Sequence, residues 1–252
     1  MPVQDHVNGV APSASRNHRP VVIDDIPFQP DLQKLMQKLR VKEGSSHVDR
    51  LMALVAEART IARPRAAYRP AYIEARDEQS VVLDGVRLRS RILRVNLDGV
   101  HRVFPFVVTA GTELYEWMQA QDDLLLCYYA DVIGETALRT ASAKLKQHIT
   151  ERYGLGRSST MSPGSLEDWP LQEQRPLFAL LGDPRDAIGV HLSDHLLMIP
   201  PKSVSGIRFP AETTFESCQL CSRERCPSRK APFEEGLYER RYQEESTSAT
   251  AV

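Results

Sequence analysis

Three of the four cysteines of this chain lie within nine positions near its C-terminal end, at Cys218, Cys221 and Cys226. Thiolates concentrated in one short segment suit a soft metal ion or an iron–sulfur cluster. In a cytosolic protein such spacing indicates metal or redox chemistry rather than disulfides. Cys127 could supply a fourth ligand. Zinc is the alternative to an iron–sulfur cluster, with Cys127 or a histidine such as His191 completing its coordination.

A pair of small-residue segments could form a ligand-binding groove. The first is a tight turn at Ser162-Pro163-Gly164-Ser165. Proline fixes one backbone dihedral there, and glycine lets the backbone approach a ligand with no Cβ in the way. The second segment, also interpreted as a turn, is Ser203-Val204-Ser205-Gly206. Facing each other, the two could hold the amino acid and ribose ends of a nucleoside ligand. The alternative is two ordinary loops, because such tetrapeptides are frequent.

Two carboxylates could act together. Asp131 and Glu135 are four positions apart in a long segment of helical periodicity, so they share one face of the predicted helix. Paired acids on a helix usually form a solvated face. A functional role would require a partner that meets this face.

The elements that must position these residues are helices flanking antiparallel hairpins. Asp84-Gly85 and Asp98-Gly99 are hairpin signals between strand-like stretches at 80–83, 86–96 and 100–109. Helices are predicted at 112–119 and 122–152, the second ended by Gly154. A helix at 171–181 and strands at 188–192, 196–199 and 203–208 follow. This mixture predicts an α+β fold, with an antiparallel sheet packed against helices, rather than a parallel doubly wound sheet.

The chain divides into four predicted parts. Residues 1–28 are polar and rich in proline, which predicts a flexible leader. Residues 29–210 form the folded domain, and 211–242 the cysteine-rich metal or iron–sulfur segment. Residues 243–252 are rich in Ser and Thr, which predicts a disordered tail.

Composition excludes several classes of protein. Hydrophobic residues make up 42% of the chain, enough for a core. The net charge of -1 provides no basic field to hold nucleic acid. No apolar run reaches the ~20 residues of a membrane helix, and the N-terminus does not resemble a signal peptide. A cytoplasmic protein is therefore expected.

The residues between the two small-residue segments carry a family resemblance. In order they include Asp168-Trp169-Pro170-Leu171, Ile188-Gly189-Val190-His191-Leu192 and Met198-Ile199-Pro200-Pro201-Lys202. Over roughly residues 100–210, this order and spacing resembles the reactivation domain of cobalamin-dependent methionine synthase. That domain binds S-adenosylmethionine (AdoMet) and remethylates an inactivated corrinoid. The resemblance implies a stand-alone protein with the methionine synthase activation-domain fold and an added C-terminal cysteine motif.

The resemblance implies roles for the residues above. The Ser162–Ser165 turn would bind AdoMet together with Ser203, Ser205 and Gly206. Asp131 and Glu135 match acidic residues that the family presents to the corrinoid. The family has an arginine where this chain has Thr160 and a tyrosine where it has Ser165. Arg157, three residues upstream of Thr160, is the expected substitute for the arginine.

The implied function is reductive reactivation of a corrinoid methyltransferase. The protein would position AdoMet for methyl transfer to the reduced cobalt of a partner's cobalamin, and no side chain need act as nucleophile. The partner would be a corrinoid protein or a methionine synthase lacking its own activation domain. Flavodoxin or ferredoxin could donate the electron. The alternative is a non-catalytic, metal-stabilised module that docks on a corrinoid protein without binding AdoMet.

Overall fold

The computed structural model describes residues 19–226 and 228–243 of the chain. These described residues form ten strands: β1 Val21–Ile23, β2 Arg65–Tyr68, β3 Ala71–Arg76, β4 Ser80–Leu83, β5 Val86–Arg89, β6 Arg102–Thr109, β7 Ser158–Met161, β8 His191–Leu192, β9 Met198–Ile199 and β10 Ser203–Pro210. The α-helices of this part of the chain are α1 Leu32–Leu39, α2 Ser46–Ile61, α3 Arg91–Asn96, α4 Thr112–Gln119, α5 Leu124–Tyr153, α6 Gln174–Leu181 and α7 Pro184–Ile188. Single helical turns occur at Leu171–Glu173, Ser217–Gln219 and Glu239–Gln243.

Strand β6 is the centre of an eight-stranded antiparallel sheet. Along one edge it pairs with β10, with Ser203 opposite Thr109 and Arg208 opposite Phe104. Along its other edge it pairs first with β2 and then with β3. Strand β7 adds to the free edge of β10, β1 adds to β2, and β4 and β5 continue from β3. The predicted α+β class with an antiparallel sheet is confirmed.

Helices cover both faces of the sheet because side chains alternate along each strand. On one face, Val107 and Ile207 pack against α3, α6 and α7. On the other, Phe104 and Val108 pack against the C-terminal half of α5. The N-terminal half of α5 extends beyond this layer and packs with α1, α2 and α4 in a third cluster. Helix α5 therefore joins the sheet to the helical part of the domain.

The boundaries of α5 follow from its capping residues. The carboxylate of Asp123 accepts hydrogen bonds from the backbone amides of Leu125 and Leu126, at 2.8 and 3.1 Å. Gly154 ends the helix in the left-handed conformation, with a φ of 62°. This agrees with the predicted helix at 122–152. None of the described helices is long and apolar enough to cross a membrane.

One of the two predicted hairpins is confirmed and the other is wrong. Asp84 and Gly85 join β4 to β5, and both have positive φ, as a tight hairpin turn requires. Asp98-Gly99 instead follows helix α3. Ser90 caps this helix by accepting a hydrogen bond from the amide of Leu93, so the predicted strand at 86–96 ends at Arg89. The predicted strand at 188–192 is also partly helical, because α7 includes Ile188.

The ends of the described chain are more ordered than predicted. Residues 21–23 form β1, and Ile23, Ile26 and Phe28 are buried, so this part of the predicted leader is wrong. Their apolar side chains fill gaps beside β2 and α5. At the C-terminal end, Phe215 and Tyr242 are buried in the same cluster as the sheet, so 211–242 packs against the domain. The rest of the leader, 1–18, and the tail from 244 onward lie outside the described residues.

Candidate functional site

The tetrapeptide from Ser162 to Ser165 forms a β-turn. The amide of Ser165 donates to the carbonyl of Ser162 at 3.2 Å. Pro163 holds the second position, and Gly164 holds the third with a φ of 80°. This combination is that of a type II turn, which needs a positive φ where glycine stands. The predicted tight turn is confirmed.

This turn is fixed to the core by the segment that follows it. The amide of Gly164 donates to the carbonyl of Trp169 at 2.7 Å, and the Trp169 side chain is fully buried. The adjacent carboxylate of Asp168 accepts hydrogen bonds from the Ser90 hydroxyl and the Ile92 amide at the start of α3. The turn is therefore held in position by buried packing on one side and a helix cap on the other.

Strand β10 meets the start of this turn at Gly206. A Cβ at Gly206 would lie 2.5 Å from the carbonyl oxygen of Met161, 2.8 Å from the Oγ of Ser162 and 3.2 Å from the ring of Phe106. Only glycine allows so close an approach. Two segments about forty residues apart in sequence thus lie side by side on the α5 face of the sheet, and we call this close contact of Gly206 with Met161 and Ser162 the cradle.

The second small-residue segment is a strand and not a turn. Residues 203–206 are the start of β10, paired with β6. Alternation places Ser203 and Ser205 on the face opposite to Gly206. The Ser203 hydroxyl donates to the carbonyl of Pro200 at 2.7 Å, and the Ser205 hydroxyl is buried without a hydrogen-bond partner among the described residues. Of the predicted residues in this segment, the structure brings Gly206 to the first turn.

Arg208, two residues beyond Gly206, lies on the same face of the sheet. It is opposite Thr160 of β7, and its guanidinium donates to the hydroxyls of Thr160, at 3.3 Å, and Ser158. Its side chain is part of the buried interior, with 7% of the residue exposed. Burial lowers the pKa of Arg208, and the charge of Glu216 opposes that effect. A buried cation thus lies beside the cradle.

The acidic face of α5 is paired with basic residues from α1, from the segment before β10 and from α5 itself. Asp131 forms an ion pair with Lys202, just before β10, at 2.8 Å. Glu135 contacts Lys38 of α1 at 2.5 Å and Arg139 at 2.7 Å. Hydrogen bonds from Lys38, and then from Arg139, hold the pKa of Glu135 below its usual range. These hydrogen bonds thus favour the charged form of the Glu135 carboxylate.

The same face of α5 also exposes apolar groups. Leu124 is 88% exposed and Tyr128 is 52% exposed. With Asp131 and Glu135 they follow the spacing of four, three and four residues that aligns side chains along one side of a helix. We call these four residues the α5 stripe. Large apolar side chains exposed in line with carboxylates are typical of a surface that binds another protein.

Comparison with known proteins identifies the architecture. No protein-family model matches the chain, and no curated protein matches it in sequence. The crystal structure of the MetH reactivation domain bound to AdoHcy is similar, with a TM-score of 0.55 at 14% sequence identity. The match covers 79% of this chain and 82% of that one. The chain has the reactivation-domain fold.

Within this reactivation-domain fold, Arg157 lies away from the cradle. Its carbonyl accepts a hydrogen bond from the amide of Ala211, whereas Met161, at the other end of β7, is opposite Ile207. Arg157 and Met161 are four positions apart along the chain, which corresponds to about 13 Å in an extended strand. Arg157 instead lines an open cavity of about 850 Å³, at the end of the β7–β10 pair that is opposite to Met161. The structure does not bring it to Ser162.

The predicted metal centre is not assembled in the reactivation-domain fold. Cys127 lies in the first turn of α5, among the helices, and its thiol donates to the carbonyl of Gln121 at 3.1 Å. The loop of Cys218, Cys221 and Cys226 packs on the sheet cluster instead, through Leu220. Across residues 19–226 and 228–243, no three His, Cys, Asp or Glu side chains come together to hold a metal ion. The structure therefore does not bring Cys127 to the other three cysteines, and metal binding by the loop stays a prediction.

The cysteine loop is organised by an arginine. The guanidinium of Arg229 donates to four backbone carbonyls of the loop, those of Cys218, Cys221, Arg223 and Ala231. These carbonyls would otherwise need water or another donor. Arg229 thus gives the loop an ordered conformation that does not require metal coordination by its thiols.

Two residues of the site were missed in the sequence. Lys202 connects Asp131 to the start of β10, and Arg208 lies beside the cradle. The signal for Arg208 was present, because it is a charged residue between Ile207 and Phe209 in a strand that is otherwise buried. A cation enclosed by apolar neighbours on both sides is rare without a partner.

Proposed function

We propose that this protein binds AdoMet and docks on a corrinoid protein to support its reductive remethylation. One observation carries the proposal: a chain with the fold of an AdoHcy-bound reactivation domain brings the Ser162–Ser165 turn against Gly206. The contact joins two distant segments and leaves no room for a side chain at Gly206. The ligand would bind at the exposed side of the turn, where Gly164 and Ser165 lie.

The ligand would be held mainly by the backbone and by fixed hydroxyls. The turn would present Ser162 and Gly164, and Gly206 holds the start of the turn against β10. Since Trp169 and Asp168 hold this turn in place, little ordering would be needed on binding. Such preorganisation supports a positioning role, in which the protein contributes geometry instead of a nucleophile.

The α5 stripe is the proposed docking surface for the corrinoid partner. Leu124 and Tyr128 would bury apolar area against that partner, and Asp131 and Glu135 lie farther along the same helix face. Lys202 pairs with Asp131 and immediately precedes β10, so the stripe and the cradle are connected through one strand. The partner would be a corrinoid protein or a methionine synthase without an activation domain of its own.

Bound AdoMet supplies an electrophilic methyl group, which passes to the partner's reduced cobalt and leaves AdoHcy. The protein's residues orient the donor and exclude water around it. An electron donor such as flavodoxin or ferredoxin would reduce the cobalt. Asp131 and Glu135 would recognise positive or hydrogen-bond-donating groups of the partner.

Replacing Gly164 with leucine should abolish AdoMet binding while leaving the protein folded. A Cβ at Gly164 would lie 3.0 Å from the Cδ1 of Leu171, so the new side chain would disturb the turn. The φ of 80° adds a stability cost of about 1–2 kcal/mol. Calorimetric titration of the wild type and the variant with AdoMet measures the effect. Gly154→Leu is the matched control, because it carries a similar strain at a φ of 62° in open space. Undetectable binding to the wild type would contradict the proposal.

A second function is favoured by Thr160 and Ser165, which stand where the family has its arginine and tyrosine. In this alternative the protein docks on a corrinoid protein through the α5 stripe without binding AdoMet. Titration with AdoMet separates the two functions, because the docking module would show no heat of binding while its stripe still bound the partner.

A further inference from the structure

An open cavity of about 850 Å³ lies at the end of the sheet where β6 begins and β10 ends. This volume is within the range of sites that hold small molecules. Its walls come from β3, the loop between α3 and β6, the segment before β7, the end of β10 and the C-terminal helical turn. The Ser162–Ser165 turn does not line it, so the cavity is separate from the proposed AdoMet site. Six titratable side chains line it: Asp98, His101, Arg102, Arg157, Glu212 and Arg241.

The three arginines of this cavity have donors that no described residue uses. Within residues 19–226 and 228–243, the guanidinium groups of Arg102, Arg157 and Arg241 form no ion pair and donate no hydrogen bond. The two acidic residues of the lining, Asp98 and Glu212, are exposed to solvent. Three cations against two carboxylates leave an excess of positive charge around the cavity, which favours an anionic ligand.

Arg102 is held in position by two aromatic rings. Its guanidinium carbon lies 5.5 Å from the centroid of the Phe104 ring and 5.0 Å from that of the Tyr153 ring. Cation–π contacts of this kind attract the charge without using its N–H groups as a hydrogen bond would. The donors of Arg102 therefore stay available to a ligand in the cavity.

The backbone around the arginines is fixed by hydrogen bonds. The carbonyl of Arg157 accepts from the amide of Ala211 at 3.0 Å, which ties the segment before β7 to the end of β10. The guanidinium of Arg76 donates to the carbonyls of Val100 and, at 3.2 Å, Leu97, in the loop before β6. A ligand would meet walls that are already ordered, so little ordering entropy would be lost on binding.

We propose that this cavity binds a phosphate monoester of a small hydroxylated molecule, such as a sugar phosphate. The guanidinium groups of Arg102 and Arg157 would hold the phosphate, because a guanidinium matches phosphate oxygens through its fork of N–H donors. Asp98 and Glu212 would accept hydrogen bonds from the hydroxyls of the ligand. The same carboxylates disfavour a ligand that carries many negative charges, such as a nucleic acid. Binding here does not require AdoMet.

Calorimetry with ribose 5-phosphate and with ribose, in a buffer without phosphate, tests the site. The wild type should bind ribose 5-phosphate at least about tenfold more tightly than ribose, as expected for charge-assisted hydrogen bonds to the phosphate. Arg157→Gln should weaken the binding of ribose 5-phosphate by about tenfold. Arg59→Gln is the matched control and should keep the wild-type affinity, because Arg59 is an exposed arginine of α2 that does not line the cavity.

The location of the ligand is tested on the same proteins. Ribose 5-phosphate should slow hydrogen exchange of the backbone amides at 97–102 and 209–213, the segments that line the cavity on either side of Arg102. Saturating AdoHcy should leave the affinity for ribose 5-phosphate unchanged, because the two sites are separate. If AdoHcy itself does not bind, the proposed function fails and the test of this cavity still stands.

The other outcomes overturn the proposal. These are equal affinity for ribose and ribose 5-phosphate, no detectable binding of ribose 5-phosphate at millimolar concentration, and an affinity unchanged in Arg157→Gln. An equal loss in Arg59→Gln would show general attraction between charges and not a site. Competition between ribose 5-phosphate and AdoHcy would place both ligands in one site. Should Arg157→Gln fail to fold, Arg241→Gln takes its place with the same expected loss.

Discussion

Replacing Trp169 with alanine is expected to lower the free energy of unfolding by about 3–5 kcal/mol, the range for deleting a large buried aromatic side chain. Trp169 is fully buried within the cluster that joins the sheet to α3, α6 and α7. It also lies beneath the Ser162–Ser165 turn, whose Gly164 amide is bonded to its carbonyl. The cavity left behind should therefore loosen the turn as well as the core.

Urea unfolding monitored by far-ultraviolet circular dichroism measures this loss. Trp117→Ala is the matched control, because Trp117 is only partly buried and donates to Glu57 on the surface at 3.1 Å. We expect the control to lose about 1 kcal/mol, the value of a single surface hydrogen bond with modest packing. Equal losses in the two variants would contradict the role of Trp169 as the support of the turn.

Replacing Gly206 with valine should destabilise the protein by about 1–3 kcal/mol, as overpacking of a buried site does. The new Cβ would lie 2.5 Å from a backbone carbonyl, that of Met161, which cannot rotate away. Strand β7 and the start of the Ser162–Ser165 turn would have to move away from β10. AdoMet binding should therefore be lost together with part of the stability.

Two measurements on the same preparation check this expectation. Unfolding in urea gives the loss of stability, and calorimetry gives the affinity for AdoMet. Gly156→Val is the matched control, since a Cβ at Gly156 meets nothing within 4 Å. The control should change stability by less than about 0.5 kcal/mol, as surface substitutions do. A Gly206→Val protein that is as stable as the control and binds AdoMet would contradict the close approach of β10 to the turn.

Some elements could be predicted because residues within or next to them determine where the chain turns or a helix ends. Helix α5 could be located because Gly154 marks its C-terminal end, and the β4–β5 hairpin because Asp84-Gly85 needs positive φ. The Ser162–Ser165 turn was predictable for the same reason. In each case neighbouring residues determine the conformation, so no knowledge of tertiary contacts was required.

Tertiary contacts decided the features that were not predicted. Asp98-Gly99 is as good a hairpin signal as Asp84-Gly85, yet Ser90 and the buried Ile92 make the preceding segment helical. Residues 21–28 are too few to show a hydrophobic periodicity. They are well ordered in the structure because β1 pairs with β2. The cysteine spacing suggested one metal centre, but packing places Cys127 in a different cluster from the loop.

Hydrogen exchange with and without saturating AdoHcy tests whether the ligand binds where the Ser162–Ser165 turn meets β10. We expect slower exchange of the backbone amides at 159–165 and 204–208 when the ligand is present. Exchange in the β4–β5 hairpin, 80–89, should not change, because that hairpin is at the other end of the sheet. Protection confined to the cavity beside Arg157, or no protection anywhere, would contradict a ligand site at Gly206 and Ser162.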